Sequence, residues 1–250
     1  MKYYEICFSP TGGTQKAAEA VTKGLAQSAV KIDLTDAKEN FAGISLTKED
    51  VALIAVPSYS GRVPETAAAR IARLQGHDAS AILICVYGNR AYEDTLVELQ
   101  DIAHQAGFKV VAAVAEHSIA RRYAAGRPDE EDRTQLAEFA RQIAQKIAPG
   151  DTCEPKIPGH RPYRKAGATG IVPKPTKACI NCGVCARKCP VGAINPTDSR
   201  KVDKKACISC MRCVAVCPHS ARKINGLMLF LVNAMLKKAC SQRKANELYL

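Results

Sequence analysis

A chain of 250 residues with 47% hydrophobic content has enough apolar material for one large or two modest domains, and its composition argues against disorder along most of its length. Aromatic residues make up only 5% and Trp is absent, so any stacking on a ring falls to Tyr or Phe. The net charge of +12 is divided unevenly: residues 151–250 carry 19 Lys/Arg against 5 Asp/Glu, a net +14, and residues 1–150 carry 17 against 19, a net −2. A composition break therefore falls near residue 150.

The opening Met1-Lys2-Tyr3-Tyr4-Glu5-Ile6 has neither a long apolar core nor a small-residue cleavage site. No stretch approaches the roughly 20 apolar residues of a membrane span, so a cytoplasmic location is expected. Twelve cysteines in that compartment point to metal or redox chemistry rather than disulfides.

In chain order, Tyr3–Phe8 is a short run of aromatic and β-branched residues and reads as a strand. It stops at Ser9-Pro10-Thr11-Gly12-Gly13-Thr14, and a helical pattern follows over Gln15–Gln27. Strand, hydroxyl-and-glycine loop, helix is an anion-binding arrangement: the glycines allow close backbone approach and the helix start offers unpaired N–H groups. The competing reading is an ordinary βα turn capped by Thr14. The loop lacks both the Lys-Ser/Thr ending of a nucleotidase P-loop and the G-x-G-x-x-G of a dinucleotide site.

Further strands are expected at Val30–Leu34, Val51–Val56, Ala81–Val86 and Lys109–Ala115, with helices at Glu65–Leu74, Tyr92–Ala106 and Glu130–Ile147. This alternation predicts an α/β doubly wound parallel sheet of five strands in the order 2-1-3-4-5, over residues 1–150. Ligands of such sheets sit beyond the carboxyl ends of the strands. Three loops leave those ends: Ser9–Thr14, then Pro57-Ser58-Tyr59-Ser60-Gly61-Arg62-Val63-Pro64, then Val86-Tyr87-Gly88-Asn89-Arg90-Ala91-Tyr92.

With these residues in view, the first 148 or so positions resemble the flavodoxin family, whose T/S-x-T-G-x-T phosphate loop is matched by Ser9–Thr14 at each defined position. The resemblance implies FMN as cofactor, its phosphate held by Ser9, Thr11, Gly12, Gly13 and Thr14. It also implies that Pro57, Ser58, Tyr59, Ser60 and Gly61 on one side, and Tyr87, Gly88, Asn89 and Tyr92 on the other, flank the isoalloxazine. The absence of Trp and the mild −2 charge depart from the family pattern.

His117, the basic run Arg121–Arg127, Arg62 and Arg90 are candidates for substrate contact if they line a cavity over the ring. Local polar pairing is the favoured reading of His117. Cys7 and Cys85 sit in apolar strands and read as inert buried thiols. Residues 151–175 are rich in Pro and Gly and read as an extended linker lying on the surface.

The most specific signal follows. Cys179-x2-Cys182-x2-Cys185-x3-Cys189-Pro190 is repeated as Cys207-x2-Cys210-x2-Cys213-x3-Cys217-Pro218. Such spacing wraps a cubane iron–sulfur cluster, and its doubling makes room for two. Paired zinc sites are the alternative, but zinc knuckles seldom use three evenly spaced cysteines followed by Cys-Pro, twice. Residues 176–224 resemble the bacterial two-cluster ferredoxins, a small α+β fold. By that precedent the fourth cysteine of each run serves the other cluster, giving Cys179, Cys182, Cys185 and Cys217 to one [4Fe–4S] cluster and Cys207, Cys210, Cys213 and Cys189 to the second.

Residues 225–250 form an apolar and basic tail, expected to be helical. Packing against the ferredoxin part or a second subunit, as in a homodimer, is favoured over a membrane-surface helix. The whole chain resembles the flavodoxin–ferredoxin fusions of the EFR1-type ferredoxin family, which implies an electron-transfer protein working with a redox protein partner. The basic ferredoxin part points to an acidic partner, or to docking on the chain's own flavin domain. An FMN-dependent reductase of a small molecule is the alternative. Nucleic-acid binding is disfavoured by the scarcity of aromatic residues.

Overall fold

The computed structural model describes residues 1–117, 126–148, 150–167 and 170–250. Five strands run parallel: β1 (Tyr3–Cys7), β2 (Val30–Asp33), β3 (Val51–Pro57), β4 (Ser80–Tyr87) and β5 (Lys109–His117), in the spatial order β2-β1-β3-β4-β5. Between them come α1 (Gly13–Leu25), α2 (Glu65–Ile71) and α3 (Thr95–Gln105), and α4 (Glu130–Ile147) follows β5. The order reverses at β1, which places the switch point at the carboxyl ends of β1 and β3. This is the flavodoxin-like topology that the alternation of elements predicts.

The sheet is central because its strands are apolar on both faces. In β3, Val51 to Val56 are all buried. Ile54, Val56 and Leu83 pack with Ile71 of α2 and Leu96 and Leu99 of α3. Leu53, Ile82, Ile84 and Val114 face the other way, onto Ala17 and Val21 of α1 and Leu136 and Ile143 of α4. Gly24 lets α1 and α4 approach closely, since a Cβ there would lie 2.5 Å from Ala140 Cβ. A reciprocal pair, Asp132 N–H to Asp129 and Asp129 N–H to Asp132, caps the start of α4.

The small unit carries β6 (Lys174–Pro175) paired antiparallel with β7 (Arg222–Lys223), the one-turn helices α5 (Val184–Arg187) and α6 (Arg212–Ala215), and a bridge between Ile194 and Val202. Its two halves repeat each other in backbone as well as in cysteines. Positive φ occurs at Asn181 and Ser209 (59° and 55°), at Gly183 and Met211 (74° and 62°), and at Gly192 and Ser220 (64° and 47°). Each pair is offset as the two cysteine runs are.

The tail departs from the expected continuous helix. Helix α7 (Gly226–Cys240) is followed by a return to the large domain, where β8 (Glu247–Tyr249) pairs antiparallel with β5. The sheet therefore has six strands, and β8 covers an edge that β5 would otherwise leave unpaired. Residues 151–167 lie along α3: Asp94 accepts from the Arg164 and His160 N–H groups at 2.7 and 2.9 Å, and Asp101 accepts from Arg161 Nε at 2.8 Å. Among the described residues no helix is long and apolar enough to cross a membrane.

Candidate functional site

The first loop leaves β1 and enters α1 through Gly12, whose φ of 89° has open space where a side chain would stand. No side chain caps α1, and its first turn carries no acidic residue. Ser9 Oγ accepts from Gln15 N–H at 2.9 Å, which fixes the bend, and Thr14 is buried beneath it. The loop therefore presents a helix start, a glycine cradle and the exposed Thr11 to a common point. These residues fit a phosphate group.

The second loop is a tight turn at Ser60 and Gly61, both with positive φ, closed by Tyr59 N–H to Arg62 C=O at 2.9 Å. Ser58 is linked to Thr95 by a hydroxyl contact of 2.7 Å, and Pro57 ends β3. Tyr59 is half-buried against the ferredoxin unit: burial pushes its phenol well up, and the nearby Cys210 adds to the shift. Gly61 is crowded by Glu93 and Arg164, and Gly167 of the linker lies beside Ser60.

The third loop is occupied from the other side by the tail. Asn89 is buried and donates its amide to the carbonyls of Cys240 and Gln242 at 2.6 and 2.7 Å. Tyr92 Oη bonds Glu247 at 2.8 Å and Tyr249 Oη at 2.7 Å. Tyr87 Oη meets His117 Nε2 at 2.8 Å, and that nitrogen also meets the Ala245 carbonyl at 2.9 Å. Gly88 follows Tyr87 at the end of β4. A cleft of about 480 Å³ opens here, lined by Tyr87, Tyr92, Pro158, His160, Lys244 and Glu247.

The polar candidates for substrate chemistry are committed elsewhere. Arg62 is paired with Glu98 through Nε and Nη2, each at 2.7 Å, and Arg90 with Glu93 at 2.7 Å. Arg127 is buried and paired with Asp132. Arg121 and Arg122 lie outside the described residues.

In the ferredoxin unit, Cys179, Cys182, Cys185 and Cys217 line one cavity, walled by Ile180, Val184 and Pro218. Ala221 N–H donates to Cys217 Sγ at 3.3 Å, and Arg222 Nη2 lies 3.6 Å from Cys185 Sγ. Arg222 is itself buried and also bonds the carbonyls of Pro173 and Ser199. Among the described residues no group of three or more His, Cys, Asp or Glu closes on a single metal ion. The four sulfurs instead stand around a shared space, and soft thiolates in such a setting suit a polynuclear iron–sulfur centre.

The second set is drawn together likewise. Burial, with Cys189 and Cys207 alongside, pushes the Cys210 thiol up to about 11. Burial also raises Cys213, to about 12, with Cys210, Cys207 and Cys185 contributing and Arg222 opposing. The charges of Cys189 and Cys185 are therefore felt at the second run, which brings the two runs near each other. Bound iron would overturn these neutral thiols, since a coordinating thiol is deprotonated outright.

Arg212, in the second run, reads in the sequence as one more charge of the basic ferredoxin part. Its Nη1 reaches the carbonyls of Pro10 and Ser9 at 3.3 and 3.5 Å, Nη2 lies 3.7 Å from Asp33, and Nε donates to the Lys188 carbonyl at 3.0 Å. Arg70 of α2 donates to the Pro190 carbonyl at 2.6 Å. Ile208, between Cys207 and Cys210, packs against the core of the large domain. The cysteine set of the second run is therefore seated on the first and second loops.

Residues 178–224 match the family model of a 4Fe-4S dicluster domain. No curated protein matches the sequence. Among solved structures, a flavodoxin from the domain Archaea is similar at 16% identity and TM-score 0.41, over 59% of this chain and 99% of that one. The Streptococcus pneumonia TIGR4 flavodoxin is similar at 16% identity and TM-score 0.43, over 59% and 100%. An NADH:FMN oxidoreductase, EMOB, is similar at 17% identity and TM-score 0.41, over 58% and 89%. The strand order and the cysteine runs, rather than these distant likenesses, define the class: a flavodoxin-like domain fused to a 4Fe-4S ferredoxin domain. The ferredoxin domain makes the chain an iron–sulfur electron-transfer protein.

Proposed function

We propose that the chain exchanges electrons between an FMN on its flavodoxin-like domain, two [4Fe–4S] clusters on its ferredoxin domain, and an external redox protein. Bound FMN would supply one- or two-electron chemistry and each cluster one-electron chemistry. Ser9, Thr11, Gly12, Gly13 and Thr14 would hold the phosphate, and Tyr59 with Ser58 and Ser60 would border the ring. Cys179, Cys182, Cys185 and Cys217 would hold one cluster, and Cys207, Cys210, Cys213 and Cys189 the other. The single observation that carries this reading is the seating of the second cysteine run on the large domain at its first loop: Arg212 on Ser9 and Pro10, and Ile208 on the core.

The protein's own residues perform three tasks in it. Ile208 and Tyr59 exclude water between the two domains. Arg222 places a buried cation beside Cys185 and near Cys213, which offsets the negative charge of clustered thiolates. Arg212 ties the second cysteine run to the phosphate loop. Reduction of a small molecule draws no comparable support, because Arg62, Arg90 and His117 are each held by internal partners.

The test is anaerobic purification with flavin identification, iron, sulfide and zinc counts, and an EPR redox titration. One FMN and about eight irons per chain are expected. Zinc in place of iron, or a chain that takes up no flavin, overturns the reading.

A further inference from the structure

The two cysteine runs are near copies, yet the structure gives them opposite surroundings. Ile208, the residue after Cys207, packs on the large domain, whereas its counterpart Ile180, after Cys179, is 65% exposed. Cys210 is half-buried, whereas its counterpart Cys182 is exposed. One run therefore faces inward to the flavin loops and the other faces solvent with an apolar residue at its tip.

The surface around that tip is strongly basic. Residues 176–206 carry seven Lys/Arg (Lys177, Arg187, Lys188, Arg200, Lys201, Lys204, Lys205) against Asp198 and Asp203 alone. Arg187 and Arg200 stand at the first run itself, donating to the Cys182 and Cys179 carbonyls at 3.3 and 3.0 Å while remaining exposed. The docking of the ferredoxin domain on its own flavodoxin-like domain uses Arg212 and Arg70, and leaves this outer face uncovered.

We propose that the face centred on Ile180 and Cys182, ringed by Lys177, Arg187 and Arg200, is the docking surface for an acidic protein that carries a one-electron redox centre. The proposal rests on the electron-transfer reading above and gives it a direction: the second run faces inward and the first outward. An exposed apolar centre with a charged rim has the form of a transient interface, in which the rim steers encounter and the centre sets lifetime. The charge complementarity is what selects an acidic partner over a basic one or a second copy of this chain, whose ferredoxin face would repel its own kind.

The experiment uses the full holoprotein and two probes of known charge, an acidic plant-type [2Fe–2S] ferredoxin and a basic c-type cytochrome. Affinity is measured by biolayer interferometry at low and high salt, and contacts are mapped by carbodiimide cross-linking with mass spectrometry. The acidic probe should bind at low salt, weaken as salt rises, and cross-link through Lys177, while the basic probe should not bind. Lys177→Glu and Ile180→Asp should each weaken binding by about tenfold, a loss of about 1.4 kcal/mol. Iron content and EPR spectra are recorded for each variant, and Lys177→Glu is expected to keep both. No binding of the acidic probe, unchanged affinity in Lys177→Glu with its iron intact, or cross-links confined to Lys237 and Lys238 of α7 overturns the proposal. Absence of iron from the wild-type protein would instead sink the electron-transfer reading, and is seen before any docking is measured.

Discussion

Glu116, near the carboxyl end of β5, is fully buried, and neither of its carboxyl oxygens has a hydrogen-bond partner among the described residues. Burial, with Asp132 nearby, pushes its carboxyl from 4.5 up to about 9. Its neighbour His117 is buried too, and burial pushes that imidazole from 6.5 down to about 4. The two act on stability with opposite signs. As pH rises from 4.5 to 9 the folded chain retains a proton on Glu116 that the unfolded chain gives up, so stability falls by ~1.4 kcal/mol per pH unit. From pH 4 to 6.5 the unfolded chain binds a proton at His117 that the folded chain does not, so stability rises by ~1.4 kcal/mol per unit. The slopes cancel between pH 4.5 and 6.5, and above 6.5 Glu116 acts alone, removing roughly 3 kcal/mol by pH 9. Glu116→Gln carries no charge at any pH, so its alkaline decline should vanish. At about pH 8 the variant should melt on the order of 10 °C above wild type, and at about pH 5 the two should nearly coincide. Thermal melts followed by circular dichroism on anaerobic holoprotein, at one scan rate and ionic strength, measure this. Infrared difference spectra should show a protonated carboxyl in wild type that the variant lacks. Identical pH dependence of the two melting curves would refute the reasoning.

Three further outcomes are expected. Cys189→Ser should abolish the same EPR signal as Cys207→Ser and leave the signal lost in Cys179→Ser, with iron falling by about half in each; loss of the Cys179 signal instead would mean the runs do not cross. Met211 holds a φ of 62° that its counterpart Gly183 holds without strain, so Met211→Gly should stabilise the ferredoxin domain by about 0.5–1 kcal/mol, read as slower iron release to a chelator on heating. Truncation after Gln242 removes β8 and Lys244, lifting the burial and a positive charge that hold the His117 imidazole down; that relief outweighs the loss of the Ala245 carbonyl, so the imidazole should titrate nearer 6.5 than 4 by NMR, and a value held near 4 would exclude the tail as its cover.

What the sequence discloses and what it withholds divide along a physical line. The five parallel strands are legible because burial on both faces demands unbroken apolar runs, and Val51–Val56 and Ala81–Val86 are such runs. The cysteine runs are legible because ligand spacing is set by the cluster they must wrap. Strand β8 is not, since Glu-Leu-Tyr has no pattern of its own and exists only because β5 offers an open edge. For the same reason Tyr87, Asn89 and Tyr92 stand at strand ends where ring contacts are expected, yet the Asn89 amide and the Tyr92 hydroxyl are taken by a tail more than a hundred residues away, and the Tyr87 hydroxyl by His117, which that tail also meets. The interface between the domains is equally silent: Arg212 looks like any surface base until Ser9, Pro10 and Asp33 are brought to it. The sharpest case is the pair Ile180 and Ile208. Each sits between the first two cysteines of its run, and no local feature distinguishes them. One is half-buried against the flavodoxin-like domain and the other is left in water, so the different surroundings of the two runs are a property of docking, written in Arg70, Arg212 and the core beneath Ile208 rather than in the cysteine motif.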